Sequence, residues 1–427
     1  MQAQIPPGPR YPRPLQTVGW VFRIGPFLER CRERYGDTFT LKIAQEGTWV
    51  MLSDPDDVRK VFTGDPKVLH AGEGNVVLKP VLGNHSVLLL DEAAHMRQRK
   101  LLLPPFHGER MERYGEVMRE IAEREIDGWP TGEPFRLWPR MQAVTLEVIM
   151  RAVFGVEEGA QLDRLRQILQ HTLEWATKPA QMFLMAALGP ERLGDMPRFR
   201  RALEPVDREL FELMRARRGD PGLEERDDIL SLLLLARHED GSPMSDQELR
   251  DELMTLLVAG HETTATSLSW ALERLVRHPD KLERLRAGDD DYVDAVAKEA
   301  LRLRPVIPIV VRRLTEPFEV GGYTLPAGVT VAPCIYLMHR RADVYPDPYA
   351  FRPERFLEQP AGTYTWIPFG GGVRRCVGAS FAIFEMKTVL QTVAGRVWLS
   401  PADAEPERVV RRAITLTPNR GAEVLAA

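Results

Sequence analysis

Apolar residues recur at three- and four-residue intervals along most of this chain, and period-two alternation is confined to a few short stretches. The spacing predicts helices over 27–35, 55–62, 92–103, 113–129, 141–154, 161–176 and 199–217. Pro55 directly after Asp54 is a standard start: a capping carboxylate, then a residue whose missing N–H is not needed. Ser245 followed by Glu248 is a capping-box pattern, and it opens a long helix over 245–276. A strand pair is expected at 38–42 and 48–52, with later strands at 318–320, 329–332 and 413–416. Prolines stiffen residues 1–20 into an expected extended arm, and the glycine-bearing, aperiodic stretch 69–90 reads as a loop over a cavity. With no repeat, low-complexity tract or linker, the economical architecture is one large domain, mainly α with a small β portion.

Composition narrows the function classes. The 427 residues are 44% apolar and 28% charged with a formal net charge of −4, which argues against a general nucleic-acid binder. Forty-eight arginines against nine lysines suggest a GC-rich bacterial genome. Cys31, Cys334 and Cys376 are too few and too dispersed for a disulfide framework or a paired-cysteine zinc site, so a reducing cytoplasm is expected. The longest apolar runs, around 229–236 and 253–260, are less than half of a membrane span, and the start IPPGPRYPRP has no signal-peptide pattern. A protein without a membrane anchor, or at most peripheral, is expected.

One decapeptide stands out. Residues 369–378, FGGGVRRCVG, put three glycines and two arginines ahead of Cys376, with an apolar helical pattern after Gly378. The glycines let the backbone turn tightly and approach something flat. A sulfur at a helix N-terminus beside guanidinium groups is expected to have a lowered pKa and to act as a thiolate, a soft ligand suited to haem iron. In the long helix, AGHETT over 259–264 strips bulk from one face at Ala259 and places Glu262 beside Thr263. That is either small-residue packing against another helix or an acid–alcohol pair able to pass protons, the threonine hydroxyl bonding back one turn. Glu299 and Arg302 lie one turn apart on a helix ending before Pro305, as a surface ion pair or as part of a buried cluster with Arg355. His95 and Arg99 share a helical face and read as a solvated basic patch or as carboxylate partners, with Arg312, Arg313 and Arg374 as further candidates. The run PVIPIVV over 305–311 reads as a buried strand or a pocket wall.

Taken together, HxxxR, AGxET, ExxR, PERF and FGxGxRxCxG, in this order and near the expected spacings, resemble the cytochrome P-450 superfamily of haem-thiolate monooxygenases, soluble bacterial type. The resemblance runs from the PPGP arm to the C-terminal strand. It implies haem b, iron protoporphyrin IX, with Cys376 as axial thiolate and metal ligand. It implies further that His95, Arg99, Arg312 and Arg374 bind the propionates, that Phe369 packs near the sulfur, and that Gly378 lets the next helix pass close to the macrocycle. Thr263 and Glu262 are then the catalytic pair that delivers protons during dioxygen cleavage. His95 stands where many relatives carry tryptophan. The chain ends about fifty residues after Cys376, so electrons are expected from a separate ferredoxin or flavodoxin and its reductase, received near Arg97, Lys100 and Arg375.

An apolar substrate such as a fatty acid, terpenoid or other lipid-like molecule is suggested by Val77, Leu88, Leu256, Ala259, Ile307, Ile309 and Val310, with Val76 and Leu257 nearby. A haem-based gas sensor would share Cys376 but leave Glu262 and Thr263 without a task. A peroxygenase would need no electron donor, and a purely structural helical protein would carry no chromophore.

Overall fold

The computed structural model describes residues 4–44, 46–106, 110–156, 163–169 and 196–427, together with 159, 189, 192 and 194. The helix expected over 161–176 lies mostly outside the described residues, which retain its helical stretch 163–169. Helices Arg110–Asp127, Leu137–Ala152, Asp246–Val276, Asp290–Leu303 and Ala379–Arg396 turn their apolar stripes into one core, where Met118, Leu146, Leu253, Val296 and Val389 are buried together. Asp246–Val276 runs 31 residues through the middle of this core and is buried on most of its circumference. Its start is the capping box expected from sequence: Ser245 Oγ accepts from Glu248 N, and Ser245 N donates to the Glu248 carboxylate. Asp54 likewise caps Pro55–Thr63 by accepting from Asp56 N and Asp57 N.

Among the described residues the main sheet has five strands in the order Thr38–Ile43, Gly47–Leu52, Thr330–Pro333, Arg312–Leu314 and Leu69–His70. The first pair is antiparallel with Thr38 opposite Leu52, and Gly47–Leu52 runs parallel to Thr330–Pro333. Two smaller hairpins follow, Phe318–Val320 with Tyr323–Leu325 and Val409–Arg412 with Thr415–Pro418. One architecture, mainly helical with a small β portion, agrees with the expectation.

Three expectations need correction. The extended arm ends at Pro12, because Arg13–Phe22 is a helix with Pro14 in its first turn. Residues 69–90 are not an open loop but a short strand followed by single helical turns at Ala71–Gly74, Val76–Leu78 and Lys79–Leu82. The run 305–311 is irregular, and the strand begins only at Arg312.

Behind the cysteine loop lies a cluster of buried ions. Glu299 and Arg302 are fully buried and Arg355 nearly so. Arg302 grips the Glu299 carboxylate through two bonds, Nε to Oε2 at 2.7 Å and Nη2 to Oε1 at 2.8 Å, and donates also to His339 O, Pro348 O and Ala350 O. Glu299 accepts further from Arg352 N and Arg355 Nε, while Arg355 Nη1 reaches Pro346 O. One carboxylate and two guanidiniums thus hold the proline-rich stretch 346–352, which has little regular structure of its own. A buried pair is costly to break singly, since the surviving charge has neither water nor partner. Glu299→Ala is expected to lower unfolding stability by about 3–5 kcal/mol, whereas Lys298→Ala, which removes only a half-exposed pair with Asp294, should change it by less than about 0.5 kcal/mol in the same denaturant titration.

Candidate active site

The cysteine loop is pinned from both sides. Cys376 N donates to Phe369 O at 3.0 Å, closing the loop, and Gly370 N donates to Ile367 O. Ile367 N donates to His339 Nε2, and Trp366 Nε1 to Lys298 O, so the loop hangs from His339, whose carbonyl Arg302 holds, and from the helix that carries the ion pair. Gly370 and Gly372 have positive φ, +66° and +64°, where a side chain is strained. A Cβ on Gly371 would fall 2.2 Å from the Phe62 ring, and one on Gly372 would fall 1.9 Å from Phe62 O. The close approach that these glycines permit is therefore to the end of the Pro55–Thr63 helix, while Gly378 faces open space.

Cys376 is accessible, yet protein atoms surround its thiol closely enough to desolvate it. Burial pushes the thiol pKa up, and the Gly378 N–H, Arg375 and Arg99 offset only part of that rise. The lowered value expected from sequence is corrected: position ahead of a helix and two guanidiniums do not outweigh desolvation in the protein alone.

Three guanidiniums and a neutral histidine converge near this loop. Arg374 bonds to Val87 O, to Leu90 O and to the Asp91 carboxylate, which also accepts from Gly72 N and Glu73 N. Arg312 is buried, its pKa pushed down to about 9 by desolvation and then by Arg374. His95 is held neutral, its pKa pushed down to about 3 by burial and by Arg374, Arg99 and Arg312. Arg99 and Arg312 have no carboxylate in ion-pair range among the described residues. Among the described residues the guanidiniums of Arg374, Arg312 and Arg99 share one paired carboxylate, Asp91 on Arg374, which leaves an excess of two positive charges in a poorly solvated region. That excess calls for a dianionic ligand.

In the middle of the long helix the burial pattern breaks. Leu256, Gly260 and Thr263 are partly accessible and Ala259 is exposed, a stripe at helical spacing in an otherwise enclosed element. Thr263 Oγ1 donates to Ala259 O at 2.6 Å, the expected bond back by one turn. Glu262 does not face solvent: Oε2 accepts from Gln142 Nε2 at 3.0 Å and Oε1 is buried without a partner. Burial pushes its pKa up to about 7 against the opposing pull of Arg412 and Gln142. Its neighbour His261 is buried and kept neutral, its Nδ1 paired with Thr145 Oγ1.

The candidate pocket residues lie on the margins of different core clusters. Leu88 and Leu256 flank the helical core, Ile307 and Val310 a second cluster under the main sheet, and Ile309 a third. Val77 is partly buried and Val76 exposed, whereas Leu257 is packed inside the core and lines nothing. Lys100 is engaged with Glu239 at 2.5 Å, while Arg97 and Arg375 are exposed. Sequence reasoning missed Asp91, His339, Trp366, Gln142 and Phe62. Only Asp91 carries a signal, as an acid directly ahead of a helix, where a cap is the usual role; its side chain instead bonds Arg374 and the backbone of the Ala71–Gly74 turn.

The chain is similar to known proteins over nearly its whole length. The cytochrome P450 family model matches residues 6–424. The chain is 45% identical over 435 residues to a putative cytochrome P450 135B1 of Mycobacterium tuberculosis, covering 98% of this chain and 91% of that one. It is 40% identical to a putative cytochrome P450 137 of the same species, covering 92% and 84%. A solved structure of retinoic acid-bound cyanobacterial CYP120A1 has the same fold, with a TM-score of 0.85 at 24% identity and full coverage of both chains. The chain belongs to the cytochrome P450 family. It is accordingly a haem-thiolate monooxygenase, and its prosthetic group is iron protoporphyrin IX. The site fits that group: an accessible sulfur on a fixed loop, and an unbalanced pair of positive charges for two propionates.

A carboxyl group with a raised pKa favours folding while protonated, so its contribution is lost as pH climbs from the ordinary carboxylate range through 7. Glu262→Gln is expected to remove that decline, making the variant the more stable protein at about pH 8 by up to about 3 kcal/mol and nearly equal at about pH 5, as read from melting temperatures.

Proposed function

We propose that this monooxygenase hydroxylates an apolar, lipid-like substrate such as a fatty acid or terpenoid, with electrons from a separate ferredoxin or flavodoxin and its reductase. The observation that carries the substrate reading is the accessible stripe on the long helix, which presents Leu256 and Ala259 with one hydroxyl, Thr263. Val77, Leu88, Ile307, Ile309 and Val310 supply the remaining apolar wall, with no charged group among them to select a polar ligand.

In this reading the sulfur of Cys376 would hold the haem iron, and Arg374, Arg99, Arg312 and His95 would receive the propionates, Arg374 keeping Asp91 as a second partner. Phe369, whose carbonyl accepts from Cys376 N and whose ring lies 6.0 Å from that of Trp366 between centroids, would pack near the sulfur. Gly378 leaves the start of the following helix unobstructed. The bound haem supplies dioxygen reduction and oxygen insertion, and the protein's own residues orient the substrate, exclude water and move protons. Thr263 holds a proton at Oγ1 on the accessible stripe. Glu262, poised near neutrality, exchanges protons with the Gln142 and Arg412 side of the helix and replenishes it. The exposed Arg97 and Arg375 offer positive charge to an acidic electron donor, with Lys100 already shared with Glu239.

Two measurements test this. Thr263→Ala should keep haem and substrate binding but divert most reducing equivalents from product, lowering the product formed per reductant by about tenfold or more. A gas sensor would show unchanged ligand affinity and no such loss. Titration with a library of fatty acids and terpenoids should give substrate-induced Soret shifts; shifts only with polar or charged compounds would refute the apolar reading.

A further inference from the structure

Surface helices normally turn their apolar stripe inward. The helix Arg13–Phe22 turns Trp20 inward but leaves a second, wider apolar stripe outside. Its buried residues are Gln16 and Trp20, and the Gln16 amide is spent on backbone, donating to Pro9 O and Tyr11 O and accepting from Lys42 N. On the opposite side Leu15, Val18 and Phe22 are 58%, 52% and 78% exposed, and Val21 is exposed beside them. At about 100° per residue these four span roughly a 120° arc centred away from Gln16 and Trp20. Ile5 and Tyr11, just ahead of the helix, are exposed as well. Single exposed apolar residues are ordinary, whereas an uninterrupted apolar face on one helix marks an interaction site.

The charges around this face select its occupant. Residues 4–23 contain Arg10, Arg13 and Arg23, all exposed, and no acidic residue. The neighbouring hairpin is held to the helix by Arg411, whose guanidinium lies 4.9 Å over the Trp20 ring. Its segment 408–414 is again free of acids, and it exposes Arg408, Arg412, Val410 and Ile414. A second copy of this chain bringing the same patch face to face would oppose arginine with arginine. An anionic bilayer satisfies both features, taking the apolar side chains below its headgroups and the guanidiniums at its phosphates.

We propose that the Arg13–Phe22 helix with the 408–414 hairpin is a docking surface for an anionic phospholipid membrane, on which the protein lies peripherally. No helix of the described residues is long and apolar enough to cross a bilayer, and a ten-residue amphipathic helix lying in the interface needs no crossing.

The test is flotation of the full-length haem-loaded protein with vesicles of phosphatidylcholine alone or mixed equally with phosphatidylglycerol. The protein should float with the mixed vesicles, much less with the neutral ones, and less as salt rises. The triple variant Leu15→Ser, Val18→Ser, Phe22→Ser should bind at least about tenfold more weakly with its haem spectrum and circular dichroism unchanged. A second variant, Arg10→Glu, Arg13→Glu, Arg23→Glu, should lose the preference for phosphatidylglycerol. No flotation with mixed vesicles, equal binding to both compositions, or undiminished binding of the serine variant would overturn the proposal. So would self-association without vesicles that the serine variant abolishes, because the face would then be covered by a second copy.

Discussion

The arrangement of the site rests on one fully desolvated ion pair. Arg302 and Glu299 have no water to return to, and every strong donor of Arg302 finds an oxygen, either on Glu299 or on the carbonyls of His339, Pro348 and Ala350. The pair acts as a clamp on chain that would otherwise be irregular. From the clamped segment, His339 receives Ile367 N, and from the same helix Lys298 O receives the Trp366 indole. Both bonds fall just ahead of the cysteine loop. A buried ion cluster is weak evidence for net stability, but here it sets the position of a loop that glycine alone would leave free.

Around that loop the electrostatics are out of balance within the protein. Burial, and then guanidinium charge in excess of carboxylate charge near Arg374, lowers the pKa values of Arg312 and His95, and burial raises the thiol of Cys376 instead of lowering it. Each of these departures opposes the charged form that the proposed role requires. An iron porphyrin with two propionates would reverse both penalties together, pairing the guanidiniums and giving the sulfur a metal. The site's chemistry is thus that of half a salt, complete only with its prosthetic group.

Much of this was legible in the residues. Helix starts at Asp54 and Ser245 are local, since cap and capped N–H lie within a few residues, and both form as the pattern predicts. The order of the motifs pointed to the family over the whole chain. What stayed hidden is non-local or contrary to pattern. Asp91 resembles a helix cap, and only the tertiary structure carries its carboxylate to Arg374, far along the chain. The Arg13–Phe22 helix reads as an arm because prolines crowd residues 6–14, yet Pro14 falls in the first turn, where its missing N–H is not needed. The thiol's pKa was misjudged because neighbouring charges can be seen in sequence and depth of burial cannot.

The central claim is the bond between the Cys376 sulfur and haem iron. It is tested most directly by the absorption spectrum of the purified, reduced protein under carbon monoxide, compared with Cys376→His. The account predicts the long-wavelength Soret band of thiolate ligation in the natural chain, replaced in the variant by the shorter-wavelength band of imidazole ligation. An imidazole-type band in the natural chain, or a protein that binds no pigment, would contradict it.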